Sequence, residues 1–127
     1  MTEFNYEDIH AWTVVEHCIV VSVSGALETE AIVEMSQQVL RVIDSHRHRG
    51  VIFDVGSLDY MDVEDFQLVR NCVQMVSVMG LPSAIAGVRP GVAAVLAENG
   101  ANVTGLGFFT TIDDAIASFD TLSRLSG

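Results

Sequence analysis

The sequence predicts an α/β fold on a mainly parallel sheet, and three observations carry that reading. Beyond Gly25, short apolar runs rich in β-branched residues alternate with helix-period segments, and such alternation calls for parallel strands joined by right-handed crossovers. The two runs before it, 11–16 (AWTVVE) and 17–24 (HCIVVSVS), follow one another with no helix between them and read as a hairpin turning near Glu16 and His17. Half of the 127 residues are hydrophobic, and a chain of this size builds one core. The predicted order is ββαβαβαβα: a mixed sheet with an N-terminal hairpin and about four helices, in a single domain over 1–127 with its core at about 11–119.

Each element has its own signal. Gly25 ends the second strand. A helix pattern runs from Glu28 to about Ser45, with Ile32, Met35, Val39 and Val42 on its inner face. Glu28 and Glu30 suit its positive start, Arg41, His46, Arg47 and His48 its negative end, and Gly50 is expected to stop it. Residues 51–55, between Gly50 and Gly56, form the central strand, and an acidic loop follows.

A helix is predicted from 63 to 79. Asp62 is its N-cap and Asp65 the capping-box partner, because carboxylates there accept from free backbone N–H groups. At ~100° per residue, Phe66, Val69, Val73 and Val76 share one side, and Leu68, Cys72, Met75 and Met79 form a second stripe. That stripe packs on a neighbouring helix of the same domain or meets another chain. Gln67, Asn71 and Gln74 mark the wet side.

Ser83–Val88 reads as the fourth strand. Pro90 opens a helix, where its missing N–H costs nothing; Val92, Val95 and Leu96 should face inward, and Asn99-Gly100 ends it. A last strand is expected over Val103–Phe109. A last helix follows, capped by Thr110 or Thr111, with Asp113 and Asp114 in its first turn and Ile116, Phe119 and Leu122 inside. Ser123–Gly127 should fray.

Charge excludes more than it proposes. The formal charge is −11, with six basic residues, all of them arginine. Nucleic acid is excluded as a partner, since phosphate binding draws on clustered Lys and Arg. Without lysine there is no Schiff base, no lysine general base and no phosphate-loop lysine.

The longest apolar runs, 18–23 and 92–97, fall short of the ~20 residues that span a bilayer. No membrane segment is expected, and the acidic start, lacking a signal-peptide pattern, points to the cytoplasm. Cys18 and Cys72 read as reduced core residues. His46 and His48 have no nearby ligand partner, and no metal or other cofactor is expected. The carboxylates between Asp54 and Asp65, including the pair Asp59 and Asp62, have no His or basic partner in the same stretch, and no catalytic residue is assigned.

The stretch GVIFDVGSLDYMD, with its helix and the later LPSAIAGVRPGVAAVLAENG, resembles the STAS domain, named for sulfate transporters and anti-sigma factor antagonists. The likeness is greatest to stressosome proteins of the RsbS/RsbR type, covers about residues 11–119, and is most specific in GVRPGVAAVL. With no sensor domain ahead of it, the chain resembles the small scaffold subunit.

The resemblance implies a non-enzymatic regulator in stress or sigma-factor signalling that binds a switch serine/threonine kinase or anti-sigma factor and sister STAS subunits, and forms a dimer or larger homo-oligomer. In that family a Ser or Thr after the loop aspartate is phosphorylated. Here the loop aspartate is Asp62 and the acceptor position holds Val63, which has no hydroxyl. Glu64 and Asp65 either imitate the phosphate or simply stabilise the helix start.

Ser83 and Ser57 remain as candidate acceptors. The expected partner surface comprises Asp59, Asp62, Glu64, Phe66, Gln67, Arg70, Asn71 and Arg89, with Arg89 either pairing a carboxylate or bridging subunits. Binding of a nucleotide or other small ligand that regulates a partner is the alternative.

Overall fold

A computed structural model describes residues 11–23, 29–45, 47–58, 61–102 and 105–126. Its elements are β1 (Ala11–Val15), β2 (Cys18–Ser22), α1 (Thr29–Ser45), β3 (Gly50–Asp54), α2 (Val63–Val78), β4 (Ser83–Ala86), α3 (Pro90–Glu98), β5 (Phe108–Phe109) and α4 (Ile112–Ser126). One five-stranded sheet runs in the order β1-β2-β3-β4-β5. β1 is antiparallel to β2 and the other pairs are parallel, as the alternation predicts.

The hairpin closes with Val15 opposite Cys18, so Glu16 and His17 form a two-residue turn. Both have positive φ (49° and 66°), the requirement of a type I′ turn that matches strand twist. Neither is Gly or Asn, and the turn is clasped from outside: Arg49 donates from its backbone N–H to the His17 carbonyl (2.8 Å) and from Nη1 to the Glu16 carbonyl (3.1 Å). The same guanidinium pairs with Asp120 of α4.

Strand residues alternate between two cores. Ile19, Val21, Val51, Phe53 and Ile85 face a larger core completed by Met35 and Val39 of α1, Phe66, Val69, Cys72, Val73 and Val76 of α2, and Leu96 of α3. Cys18, Val20, Ile52, Ala84 and Ala86 face Ala115, Ile116 and Phe119 of α4 on the opposite side. The residues under α4 are smaller, which lets that helix lie close to the sheet. Cys18 and Cys72 are free, buried and in different cores.

Several expectations are corrected. Gly50 does not stop α1, which ends at Ser45; it opens β3, where a Cβ would stand 2.6 Å from the Phe119 ring. The basic residues Arg47 and His48 lie beyond α1, although His48 Nε2 donates to the Val42 carbonyl (3.1 Å) and so caps its end; His46 is outside the described residues. β4 stops at Ala86 because Gly87 turns to φ +83°, and β5 has only two residues. Val95 is 52% exposed, since α3 is short and turns only Leu96 fully inward. α4 stays helical through Ser126 instead of fraying at 123; its N-cap is Thr111, whose Oγ1 accepts from Asp114 N–H (3.1 Å).

The second stripe of α2 packs within the domain. Leu68, Cys72 and Met75 join the larger core, and Cys72 Sγ lies 3.2 Å from Ser36 Oγ of α1. Val78 and Met79, past the packed part, are exposed.

Candidate functional site

The acidic loop is built from the sheet outward. At the end of β3 the Asp54 carbonyl accepts from Val23 N–H (2.8 Å) and Val55 N–H reaches the Ala86 carbonyl (2.9 Å), so the loop leaves a fixed edge. Asp54 Oδ1 then accepts from Gly56 N–H (2.9 Å), an Asx turn. Ser57 Oγ donates to the Val23 carbonyl (3.0 Å). Gly87 lies against this turn so closely that a Cβ on it would be 2.7 Å from the Gly56 backbone. Met61, buried, anchors the loop before α2 begins.

Asp62 has extended backbone and caps α2: its Oδ1 accepts from Asp65 N–H (2.7 Å), while Asp65 Oδ2 accepts from Asp62 N–H (3.3 Å). Both carboxylates are occupied by backbone donors. Val63 is the first helical residue and half-buried; Glu64 is exposed. Beside them lies an open groove of about 380 Å³ lined by Met61, Asp62, Val63 and Glu64 on one side and Val95, Leu96 and Asn99 of α3 on the other. Its floor is apolar and its rim acidic.

The expected partner residues divide on this geometry. Asp62, Val63 and Glu64 line the groove, while Gln67 and Asn71 lie farther along the exposed side of α2, joined by a hydrogen bond from Gln67 Nε2 to Asn71 Oδ1 (2.9 Å). Phe66 is corrected: at 1% exposure it stacks on Phe108, with ring centroids 6.1 Å apart. It supports the helix from beneath and offers a partner no surface.

Arg70 is half-buried and donates to the Asn102 carbonyl (2.8 Å), tying α2 to the chain that leaves α3. Arg89 is exposed before α3, and among the described residues no carboxylate forms an ion pair with it. Asp59 lies outside the described residues.

Ser57 is at this end of the sheet, whereas Ser83 begins β4, opposite Val51 near the start of β3, at the far end. Sequence reasoning missed Met61, Val95, Leu96 and Asn99 as groove residues. The i, i+3, i+4 spacing of Val92, Val95 and Leu96 reads as one inner face, so the sequence carried no signal that Val95 lines a groove.

The profile of the STAS domain matches residues 11–117. The chain belongs to the STAS domain family. No curated protein sequence matches it.

Among solved STAS structures, a serine-to-glutamate variant of Moorella thermoacetica RsbS is 20% identical, with a TM-score of 0.75 over 91% of this chain and 97% of that one. A chain from the molecular architecture of the stressosome is also 20% identical, with a TM-score of 0.77 over 90% and 99%. The anti-sigma factor antagonist SpoIIAA in its unphosphorylated form is 17% identical, with a TM-score of 0.65 over 88% and 96%. At these identities the likeness establishes the fold. No helix among the described residues is long and apolar enough to cross a membrane.

Proposed function

We propose that the chain is a non-enzymatic STAS regulator or scaffold of the anti-sigma factor antagonist or stressosome type, acting in the cytoplasm. The start of α2 and the groove beside it bind a switch serine/threonine kinase or anti-sigma factor and sister STAS subunits. The observation that supports this is Val63: directly behind the capping Asp62, it borders a groove with an apolar floor and two rim carboxylates, and among the described residues no His or basic side chain lines it. Such a surface grips a side chain.

Because Val63 has no hydroxyl, the partner is retained without phosphotransfer at that position. Of the remaining hydroxyls, Ser57 lies at the end where the kinase docks, whereas Ser83 lies at the opposite end of the sheet. Glu64 is exposed and free of the capping box, so its charge is available to a partner or to the helix dipole alone.

Isothermal titration against a purified kinase of the anti-sigma factor type tests this. Val95→Glu, on an exposed groove position, should weaken binding at least ~10-fold, the effect of a buried charge in an interface. Val63→Ser should gain a phosphate by mass spectrometry when ATP is added. Equal affinity of wild type and V95E would refute the groove as the docking place. E64Q decides its role: unchanged affinity means helix stabilisation only.

The groove volume also falls within the ~300–1,000 Å³ of small-molecule sites, which favours a second reading, binding of a small ligand. Its acidic rim disfavours nucleotide phosphates, and titration with ATP and GTP checks that reading in the same instrument.

A further inference from the structure

Among the described residues β1 is an edge strand, and its composition is unusual for an edge. Soluble proteins blunt free edges with lysine, proline, bulges or short strands. The opposite edge, β5, follows that rule by having only two residues. β1 does not: its five residues pair with β2 without a bulge, and AWTVV contains neither charge nor proline. Three of its side chains are large, apolar and exposed: Trp12 at 43%, Val14 at 45% and Val15 at 38%.

The register shows what fits there. A two-residue I′ turn closes on a hydrogen-bonded pair, here Val15 with Cys18. Hydrogen-bonded and non-bonded pairs alternate along an antiparallel ladder. Thr13 therefore spends its backbone groups on Val20, and the N–H and C=O of Trp12 and Val14 point to the free edge.

We propose that β1 is a self-association surface, in which two copies pair β1 strands antiparallel about a two-fold axis at Thr13 and join their sheets. In that register Trp12 of each copy lies opposite Val14 of the other, and both present free backbone groups to each other. Thr13 meets Thr13 of the second copy in the non-bonded position. Aromatic with β-branched and Thr with Thr are pairs that stabilise neighbouring strands.

Two molecules of formal charge −11 repel, so net charge opposes the pairing, and the matched register and exposed apolar side chains of β1 supply it. A charged extended peptide would find no counter-charge within it. The interface is isologous and closes at two copies. A five-residue strand supplies only part of the ~1,200 Å² of a stable dimer, so dimer and monomer exchange with concentration.

Trp12 is the only tryptophan in the chain, so its fluorescence reads the interface directly. Sedimentation velocity and Trp emission are recorded together from about 2 to about 500 µM, a range that brackets weak interfaces. The expected result is a mass that doubles and an emission that shifts to the blue with a common midpoint. Raising NaCl should strengthen the association several-fold by screening like charges.

Val14→Lys and Val14→Pro, which leave the β1–β2 hydrogen bonds of Thr13 in place, should abolish both signals. Val78→Lys, at the exposed end of α2, should change neither. The wild-type comparison needs no variant, so it stands even if V14K fails to fold. Monomer mass throughout, or a dimer whose emission does not move, overturns the proposal. So does a dimer lost in V78K but kept in V14K, or blue emission in the monomer, which would mean that the chain covers its own strand.

Discussion

Replacing Asp62 with Ala removes the acceptor for Asp65 N–H at 2.7 Å and disrupts the reciprocal bond of the capping box. An N-cap Asp→Ala change costs ~0.5–2 kcal/mol, typically ~1. Removing a carboxylate from the positive end of a helix costs ~0.3–1 kcal/mol more at a partly exposed site. The sum is about 1–2 kcal/mol.

Asp62→Asn keeps a side-chain oxygen where Asp62 Oδ1 lies and loses mainly the charge, so it should cost about 0.3–1 kcal/mol. The two variants therefore separate the hydrogen bond from the dipole. Urea unfolding followed by far-UV circular dichroism measures both. The midpoint should fall in the order wild type, D62N, D62A with unchanged slope, since no large surface changes exposure. In melting experiments, 1 kcal/mol corresponds to about 3–5 °C for a domain of this size. Equal midpoints for D62A and D62N, or a D62A shift below ~0.3 kcal/mol, would refute the view that these carboxylates serve the helix. The acids at the start of α2 would then be present for a partner alone.

Three further outcomes follow from the packing. Gly50→Ala should destabilise by ~1–3 kcal/mol, the range for overpacking, because its Cβ meets the buried Phe119 ring at 2.6 Å; F119L should lessen the added cost in a double-mutant cycle by urea unfolding. Gly87→Ala should cost at least as much, since φ is +83° and a Cβ would be 2.7 Å from the Gly56 backbone, which has no rotamer by which to move.

Burial raises the Cys72 thiol above its ordinary value of 9.0, against a smaller opposing effect of the Ser36 hydrogen bond. The folded state thus holds the proton more tightly than the unfolded chain. Its stabilising contribution is full below about pH 9 and is lost as pH rises through the folded value. The urea midpoint should fall from pH 9 to 10.5, and less steeply in C72A.

Most of the fold was legible because the central strands β2, β3 and β4 are buried on both faces and so stand out as continuous apolar runs. The turn at Glu16 and His17 was readable from the flanking strands, although neither residue favours positive φ. What escaped the sequence was distance in space. Gly50 looks like a helix stop from its neighbours, and only Phe119, far along the chain, shows that it makes room for a ring.

Val95 and Leu96 are adjacent apolar residues, and periodicity over nine residues is too short to say which one faces out. Phe66 fell on the inner side of α2 by periodicity and is buried there, so its place in a partner surface conflicted with its own spacing. The role of α3 in the groove required the third dimension, because loop, helix and groove come from segments about thirty residues apart.

The two surfaces differ in the physics they use. At the start of α2, the positive end of the helix is already filled by Asp62 and Asp65, each accepting a backbone N–H. A phosphate at the next position would add negative charge where two carboxylates have satisfied the nearest donors, and would draw less stabilisation than at an uncapped helix. Val63 instead offers methyl groups to a groove floored by Met61 and Leu96. In the proposed docking the contact there depends on shape and desolvation, and the acidic rim favours a basic side chain on the partner. Salt should weaken binding at that rim and strengthen pairing at β1. Opposite responses to one variable therefore separate docking of a partner from association between copies.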